Sequence, residues 1–591
     1  MALVKNIKIQ VDGNEIKSSY IYNVNLMQNV FGHHILEVVC NREGAFESQD
    51  GVILDKSVNK LLGGKISLTI KVIDGEKLEF EGIVMEIHAD KMDDFENDTI
   101  TIEAYSTDIL LDDGEHSRSF QDKTVKAIVE SILSDYNLPA KKIKPEHSTE
   151  TMAYTVQYKE SSFAFLSRLA AKKGEWFYYD GKDIVFGKRN AESIKLEFRK
   201  DVTEFDMSLR MSDLKFKYVS YDYLKDETYE IEADSENISN LSRITQTVLD
   251  KSNSKFKHET VIFYNHLLTK DKEEQHLRNR VSLDKKSKSA GFVSCHGVTE
   301  KANLKIGGEI KIVDYIDKEG KRKNAPVEHG EFIITELSHS FDYNGNYINN
   351  FTAVPLDVEV PPNSSPHAIP FCETQSAIVM DNNDPEKLGR IQVQFFWQKP
   401  ENTVSPWLRA ITPHSGKDQG FFFTPEIGDE VLVAFEGGNA EKPYVIGSHY
   451  HGKAKPDQKW INDNNDIKGI RTKGGHTIEF VDKDGGEELK IYDNKNEEYE
   501  ITLSAHSSTV TIKSKGDLNL KADGDIKIEA GNNLNLKAGS NMEVKAGSDL
   551  KTSAMNTTSE ASVKMELKAS ASMKIDGGAQ LEQKAVIIKI N

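Results

Sequence analysis

Residues 515–554 read KGDLNLKA DGDIKIEA GNNLNLKA GSNMEVKA GSDLKTSA, five consecutive units of eight. The first four units each carry an apolar pair two residues apart, Leu518/Leu520, Ile526/Ile528, Leu534/Leu536 and Met542/Val544, with Val510/Ile512 one unit earlier. A small residue follows each pair two positions on, at Ala522, Ala530, Ala538, Ala546 and Ala554. Within a unit the alternation has period 2, the mark of a strand with one dry face. Between units stand Asp523-Gly524, Gly531-Asn532, Gly539-Ser540 and Gly547-Ser548, expected to supply the positive φ of tight corners. The phase slips around 556–563 and resumes at Met565/Leu567 and Met573/Ile575. Such a repeat predicts a β-solenoid or an intertwined β-helix. One octad cannot bury a two-residue face alone. Either successive units of one chain stack, or several chains wind together and so remove open strand edges. Lys521, Lys537 and Lys545 share one repeat position and read as a solvated outer row.

Outward from the repeat, the composition changes abruptly. After Tyr499 there is no aromatic residue, after His506 no histidine and after Pro456 no proline. A globular core almost always uses aromatic side chains, so this tail must bury its apolar groups differently. Residues 508–591 hold 12 Lys and 10 acidic residues, a net of +2, which leaves −21 on residues 1–507 of a chain whose total is −19. That balance argues against nucleic acid and anionic membrane as partners, since both require a cationic face. No run of 18 apolar residues occurs, and the opening MALVKNIKIQ interrupts its apolar residues with lysine. No signal peptide is therefore expected, and the chain is expected to start in the cytoplasm. The three cysteines (Cys40, Cys295, Cys372) are far apart, which excludes a disulfide framework and a Cys-rich zinc site. At 591 residues several domains are expected.

Residues 376–397, SAIVMDNNDPEKLGRIQVQFFW, place two strand-like runs around a turn-rich DNNDP, with Ile391, Val393, Phe395 and Trp397 alternating onto one face. More short strands follow, divided by Pro and Gly, in SPWLRAITPHSG and GFFFTPEIGDEVLVAFEGGNAEKPYVIGSHYHG. Five or six short strands in this space predict a small Greek-key barrel of the OB type. Six Lys and Arg against ten acids over 376–452 make a nucleic-acid role for it improbable. Further toward the N-terminus, KISLTIKVI (65–73), KLEFEGIVMEI (77–87) and TITIEAY (99–105) read as strands. A helix is expected at about 121–136, its dry face made by Val125, Ile128, Val129, Ile132 and Leu133. Within 158–187, Ser161 can cap a second helix that carries Phe163, Leu166, Leu169 and Ala170 on one side, and Gly174 sits where such a helix ends. A charged helix is expected at 271–284, and the five prolines of 355–370 suggest a stiff extended linker.

The series DNNDP…LGRIQVQFFW…PWLRA…FFFTPEIGDEVLVAFEGG…KPYVIGSHY resembles the OB domain of the VgrG family, the trimeric spikes of type VI secretion. YKESSFAFLSRLAAKKGEWFYYDGKDIVFG (158–187) is similar to that family's hub motif. The order hub, barrel, needle covers essentially the whole chain. The resemblance implies a mainly β protein with an α+β hub of phage-hub-like barrels (1–365), an OB-fold barrel (366–455), a β-rich neck (456–507) and a C-terminal intertwined trimeric β-helix needle (508–591). It implies a homotrimer docked on a hexameric, Hcp-like tail-tube protein, with baseplate wedge proteins, a PAAR-type tip protein and effector cargo as partners. In that setting Val510, Ile512, Leu518, Leu520, Ile526, Ile528, Leu534, Leu536, Met542, Val544, Met565, Leu567, Met573 and Ile575 are the expected needle core, and Val586, Ile588 and Ile590 the expected tip-docking residues. The protein would assemble in a bacterial cytoplasm and be delivered outside by contraction; the equivalent spike of a released phage-tail-like particle fits the same residues.

Motifs for chemistry are sparse. His33-His34 point to opposite faces if on a strand, and His449 and His451 lack a third ligand, so neither pair makes a zinc site. Gly307-Gly308 and Gly437-Gly438 lack the following Lys of a phosphate loop, and no GxSxG elbow occurs. Only residues 453–507 separate barrel from repeat, too few for an inserted two-carboxylate glycosidase domain. The expectation is a spike without catalysis, cofactor or metal. A spike carrying its own cell-wall-degrading or effector enzyme is the rival of a different class.

Overall fold

A computed structural model describes residues 2–41, 60–73, 75–91, 93, 98–189, 192–264, 273–316 and 319–590. The chain forms two compact units, Met1–Lys459 and Trp460–Asn591. It is mostly β.

In the first unit, period-2 strands close on themselves. Ile21–Asn29 pairs with Ile35–Asn41, which pairs in turn with Thr99–Ser106, Lys77–Asp90, Lys65–Val72, Ala2–Val11 and Asn346–Pro355. Arg322–Asp342 then pairs with both Asn346–Pro355 and Ile21–Asn29, completing a ring of eight strands. Closure removes the open edges that a sheet of this length would otherwise present. Inward-facing Ile66, Leu68, Ile70, Ile100, Ile102 and Ala104 fill the interior.

The same hairpin builds a second barrel. The first half of Arg322–Asp342 pairs with Glu309–Ile316, and the second half with Ile21–Asn29 of the first barrel. Between the halves the register against Asn346–Pro355 shifts at Ile334/Glu336, a bulge that re-aims one long strand from one barrel into the other. Ser193–Glu197, Val293–Thr299 and Val202–Leu209 extend this second sheet, and a bridge between Phe198 and Val202 joins its two ends. Its own core holds Leu196, Ile310, Ile312, Phe332, Phe351 and Ala353.

Among the described residues, two helices pack on the first barrel, and two more pack elsewhere in the same unit. Val125–Asp135 buries Val125, Ile128, Val129, Ile132 and Leu133, the face that the spacing predicts. It begins four residues later than expected. Residues 121–124 continue the strand His116–Thr124, paired with Thr151–Glu160, and Thr124 then caps the helix by accepting from the Ala127 N–H at 3.2 Å. Ser162–Lys173 has Ser161 as its cap (Ala164 N–H to Oγ, 3.0 Å) and Gly174 in the left-handed region (φ 72°) at its end. Phe165, Leu166, Leu169 and Ala170 are its buried apolar residues, with Phe163 half-buried at the margin. The charged helix runs Glu273–Ala290, longer than expected; residues 271–272 of the expected span lie outside the described residues. Polar contacts hold it where the expected span ends, Tyr218 OH to Asp284 (3.0 Å) and Lys285 Nζ to the carbonyls of Ala233 and Glu236. A further helix, Arg243–Lys255, has no counterpart in the sequence reading.

Residues 356–370 are not a free spacer. The Ser365 N–H donates to the Ala171 carbonyl (2.9 Å), Val360 is buried, and a Cβ on Gly174 would lie 3.1 Å from Val360. This proline-rich strap is packed on the hub helix, so its stiffness comes from tertiary contact as well as composition.

Residues 375–448 form a four-stranded sheet, Gln392–Phe395, Gln375–Asp381, Glu430–Phe435 and Pro443–Ser448, with bridges Ile391/Leu408 and Ala410/Val445. Ile391, Val393 and Phe395 are fully buried; Trp397 turns into a short 3-10 segment and is half-buried.

In the second unit, Ile467–Arg471, His476–Val481, Glu488–Asp493, Tyr499–Ser504 and Thr509–Ser514 make a five-stranded antiparallel meander. Val510 and Ile512 lie in its last strand. The octads begin directly after it.

Candidate functional site

The octad region is extended, with bends at 523–524, 531–532, 539–540, 547–548 and 555–556, then 562–563 and 570–571. The spacing of eight, and the one-residue slip, follow the sequence repeat. Gly524, Gly531, Gly539 and Gly547 do not adopt positive φ, contrary to expectation. These corners bend without a left-handed residue, and a Cβ there would meet nothing in this chain.

Two properties define this stretch. The Lys515 N–H donates to the Glu498 carbonyl, and among the described residues the next backbone hydrogen bond within the chain is Gln580 to Gly577. Some sixty residues thus have extended backbone with no partner in their own chain. The apolar pairs are equally bare. Val510, Ile512, Leu518, Leu520, Ile526, Ile528, Leu534, Leu536, Met542, Val544, Met565, Leu567, Met573 and Ile575 are 50–72% exposed. A single-chain solenoid would bond each unit to the next and bury these residues, so that alternative does not describe this chain. Fixing a residue's backbone costs about 1–2 kcal/mol, and burying a Val, Leu, Ile or Met contributes about 1.5–3 kcal/mol. Inside one chain nothing offsets that cost here. Toward the end of the chain, Val586, Ile588 and Ile590 are also exposed.

A second feature, missed in the sequence, ties the barrel to the hub. Glu441, on the loop before Pro443–Ser448, is buried against Lys172 of the hub helix, with Arg168 Nη1 at 3.9 Å and the Thr155 hydroxyl donating at 2.5 Å. Burial alone would raise its carboxyl; the two cations outweigh burial and hold it at about 2. Within the barrel, Asp384 and Arg390 of the DNNDP…LGR motif form a buried pair (2.7 Å). Asp384 also accepts from the backbone N–H of Glu386, Leu388 and Arg390. Against burial, these bonds lower it to about 2. The motif is thus a loop wound around one carboxylate, with Lys387 and Gly389 at positive φ.

The histidines fall into structural roles. His33 Nε2 meets Asp112 at 2.8 Å and Nδ1 lies 3.2 Å from Asp108. Burial opposes its protonation, but the two carboxylates raise its pKa on balance. His34 belongs to a buried one-way chain. The Tyr347 hydroxyl donates to His339 Nδ1 (2.6 Å), and His339 Nε2–H donates to Gln28 Oε1 (3.0 Å). The Gln28 amide then donates to His34 Nδ1 (3.0 Å), and His34 Nε2–H to the Asn29 carbonyl (3.2 Å). Both rings are neutral; burial depresses His34 to about 4 and His339 to about 3. His449 and His451 follow the end of the Pro443–Ser448 strand, so they do not share a strand face. Among the described residues, no three His, Cys, Asp or Glu are placed to hold a metal ion. The cysteine thiols are buried; Cys40 and Cys295 are pushed up to about 12 and Cys372 to about 11, chiefly by burial.

Comparison with known proteins gives this geometry a context. Residues 51–345 match the family model of the phage tail baseplate hub, and residues 375–450 that of the type VI secretion system/phage-baseplate injector OB domain. The chain is 22% identical over 488 residues to the type VI secretion system spike protein VgrG1b of Pseudomonas aeruginosa, covering 76% of this chain and 63% of that one. It is 22% identical over 443 residues to the actin cross-linking toxin VgrG1 of Vibrio cholerae, covering 67% of this chain and 38% of that one. The chain thus spans less than two thirds of either relative. Among solved structures, a chain of the Francisella PdpA–VgrG complex, half-lidded, superposes with a TM-score of 0.54 at 9% identity over 87% of this chain and 89% of that one, a likeness of fold. With a baseplate hub and an injector OB domain matched in order along one polypeptide, and spike proteins of the same name among its relatives, the chain belongs to the VgrG family.

Proposed function

We propose that this chain is one subunit of a homotrimeric hub and spike at the front of a contractile injection apparatus, and that its work is mechanical. The observation that carries this reading is the octad stripe, whose apolar side chains and extended backbone have no partner in their own chain. Three intertwined copies supply both at once: they close the apolar faces onto a common axis and pair each strand with its neighbours. Val510 through Ile575 of the fourteen-residue stripe are then the trimer core. The spike reading is supported by relatives named spike proteins.

The two fused barrels of the hub support docking on a sixfold partner, because three copies present six barrel units to a hexameric, Hcp-like tail tube. Baseplate wedge proteins surround the hub in this reading. Val586, Ile588 and Ile590 seat a PAAR-type tip protein, and effector cargo travels with it. Assembly takes place in a bacterial cytoplasm, and contraction carries the spike out of the cell and through the target envelope. No reaction step belongs to this mechanism, and neither cofactor nor nucleic acid takes part. The cholera relative is named for actin cross-linking; this chain spans 38% of it, and that activity is not carried over.

Light scattering on the purified chain with and without residues 508–591 tests the proposal. Three times the 66.4 kDa chain mass, lost or weakened on removing the tail, is the expected result. A stable single-mass chain with a folded tail contradicts it.

A further inference from the structure

A cavity of about 690 Å³ opens in the first unit where separate segments converge. The last turn of the hub helix Ser162–Lys173 brings Lys172 and Lys173 to it, and the charged helix Glu273–Ala290 brings Arg280 and Lys286. The barrel loop ahead of Pro443–Ser448 adds Glu441 and Lys442. Residues 147–155 and the proline-rich strap complete the wall. Five Lys and Arg line this hollow against three Glu, in a chain whose total charge is −19.

Two of the five cations are neutralised within the chain, Lys172 by Glu441 and Lys286 by Glu359 (2.6 Å). Among the described residues, Lys173, Arg280 and Lys442 have no such ion pair. Arg280 donates from Nη1 to the Lys172 carbonyl, which draws its guanidinium to the end of the hub helix. Lys442 is only 7% exposed, yet its amine donates to no group among the described residues. A buried cation without a counter-charge is unfavourable, and neighbouring cations add their mutual repulsion. Lys173 registers both effects: desolvation first, then the charges of Arg280 and Lys172, push its amine down to about 7. Glu441 and Glu150 oppose the shift without reversing it. These four residues all line the cavity, so the Lys173 amine belongs to it as well. The glutamates leave the cationic excess standing. Glu441 is taken by Lys172, Glu150 lies 3.9 Å from His276 Nδ1, and Glu436 is exposed.

We propose that this cavity binds a small polyvalent oxyanion, a phosphate ester or a polycarboxylate, between Lys173, Arg280 and Lys442. Its volume falls in the range of small-molecule sites, about 300–1,000 Å³. Charge-assisted bonds to phosphate or carboxylate oxygens supply what the chain itself does not, a counter-charge for all three cations at once. Bound there, the anion ties the hub helix, the charged helix and the barrel loop to one another beside the Lys172–Glu441 pair. The junction of hub and barrel is then tightened by a ligand as well as by the chain's own contacts. The site does not rest on the spike reading, because its lining residues all lie within 147–442 of one chain.

Isothermal titration calorimetry of the full chain with inorganic triphosphate and, separately, with citrate tests this at pH 8 and low salt, where charge is least screened. The expected result is one site per chain with a dissociation constant below about 1 mM for at least one probe. Lys173→Met and Lys442→Met should each weaken it at least about tenfold. Lys417→Met, at an exposed barrel position, should leave it unchanged. The Lys173 amine is mostly neutral at pH 8, and a bound anion favours its charged form. Paired titrations in buffers of different ionisation enthalpy should therefore show proton uptake that diminishes in Lys173→Met. The same probe should raise the melting temperature of the first unit in the unaltered chain, a readout that needs no variant. Either order of affinity upholds the site: preference for triphosphate assigns the phosphate class, and preference for citrate the carboxylate class. Absence of binding by both probes up to about 10 mM overturns the proposal. So does binding that Lys173→Met and Lys442→Met both leave unchanged, because the anion then sits elsewhere.

Discussion

The hub barrels and the octad stripe are written in the same period-2 pattern, yet one is complete in a single chain and the other is not. In the hub, strand follows strand until Arg322–Asp342 returns to Ile21–Asn29, so every interior edge finds a partner and Ile66, Ile100 and Ile102 become fully buried. In the octads a bend comes every eight residues, before the chain can turn back and pair with itself. Alternation therefore encodes a dry face, but the distance to the next reversal decides whose face dries it. The meander lies between these cases: its strands pair with one another within the chain, but its apolar face is left uncovered.

The sharpest way to break the contrast is to charge the stripe. Ile528→Asp with Leu536→Asp is expected to convert a triple-mass particle into single chains by light scattering, while the hub melting transition remains. Retention of the trimer would detach the stripe from assembly. Next in size is the junction. Glu441→Ala leaves Lys172 buried without its carboxylate, while Arg168 keeps Glu160, and is expected to cost about 3–5 kcal/mol in denaturant unfolding of the first unit. Phe165→Ala, in the packed helix over the first barrel, should cost a similar amount, about 3–5 kcal/mol, with no change in assembly mass.

Acid sharpens the comparison from the other side. His34 and His339 have folded values of about 4 and about 3, below their ordinary 6.5. The unfolded chain binds protons that the folded hub refuses, so this contribution is complete above pH 6.5 and declines as pH falls from 6.5 toward 4. Thermal unfolding between pH 7 and 4 should show the hub transition moving down, and His339→Gln should flatten that dependence. Glu441 and Asp384, held at about 2, lose their contribution only as pH falls below the ordinary carboxylate range toward 2. The octad tail has no histidine and should not respond in the upper window. The smallest effect expected is Ser161→Ala, about 1 kcal/mol for the lost helix cap.

What the sequence makes legible is whatever repeats or alternates. The dry face of Val125–Asp135 and the octad pairs were readable because their spacing is carried by side-chain type alone. Arg243–Lys255 was not, because its buried residues are Thr245, Val248 and Ser252, which do not form an apolar stripe. Glu441 was invisible for a different reason: its partner Lys172 is 269 residues away, and a lone Glu in a loop has no local signature. The corner glycines misled, since glycine permits positive φ without requiring it. The inverted face of the meander, with Thr477 and Glu479 buried and Ile478 and Phe480 exposed, was in principle readable from their alternation; that Trp460 bonds Glu479 on the polar side was not.

The central claim is that the octad backbone, bare within one chain, is paired between chains. Amide hydrogen exchange across residues 517–575 of the intact protein tests it most directly. The account predicts protection over these residues comparable to that of the hub barrel strands. Exchange at the rate of an unstructured peptide would contradict it.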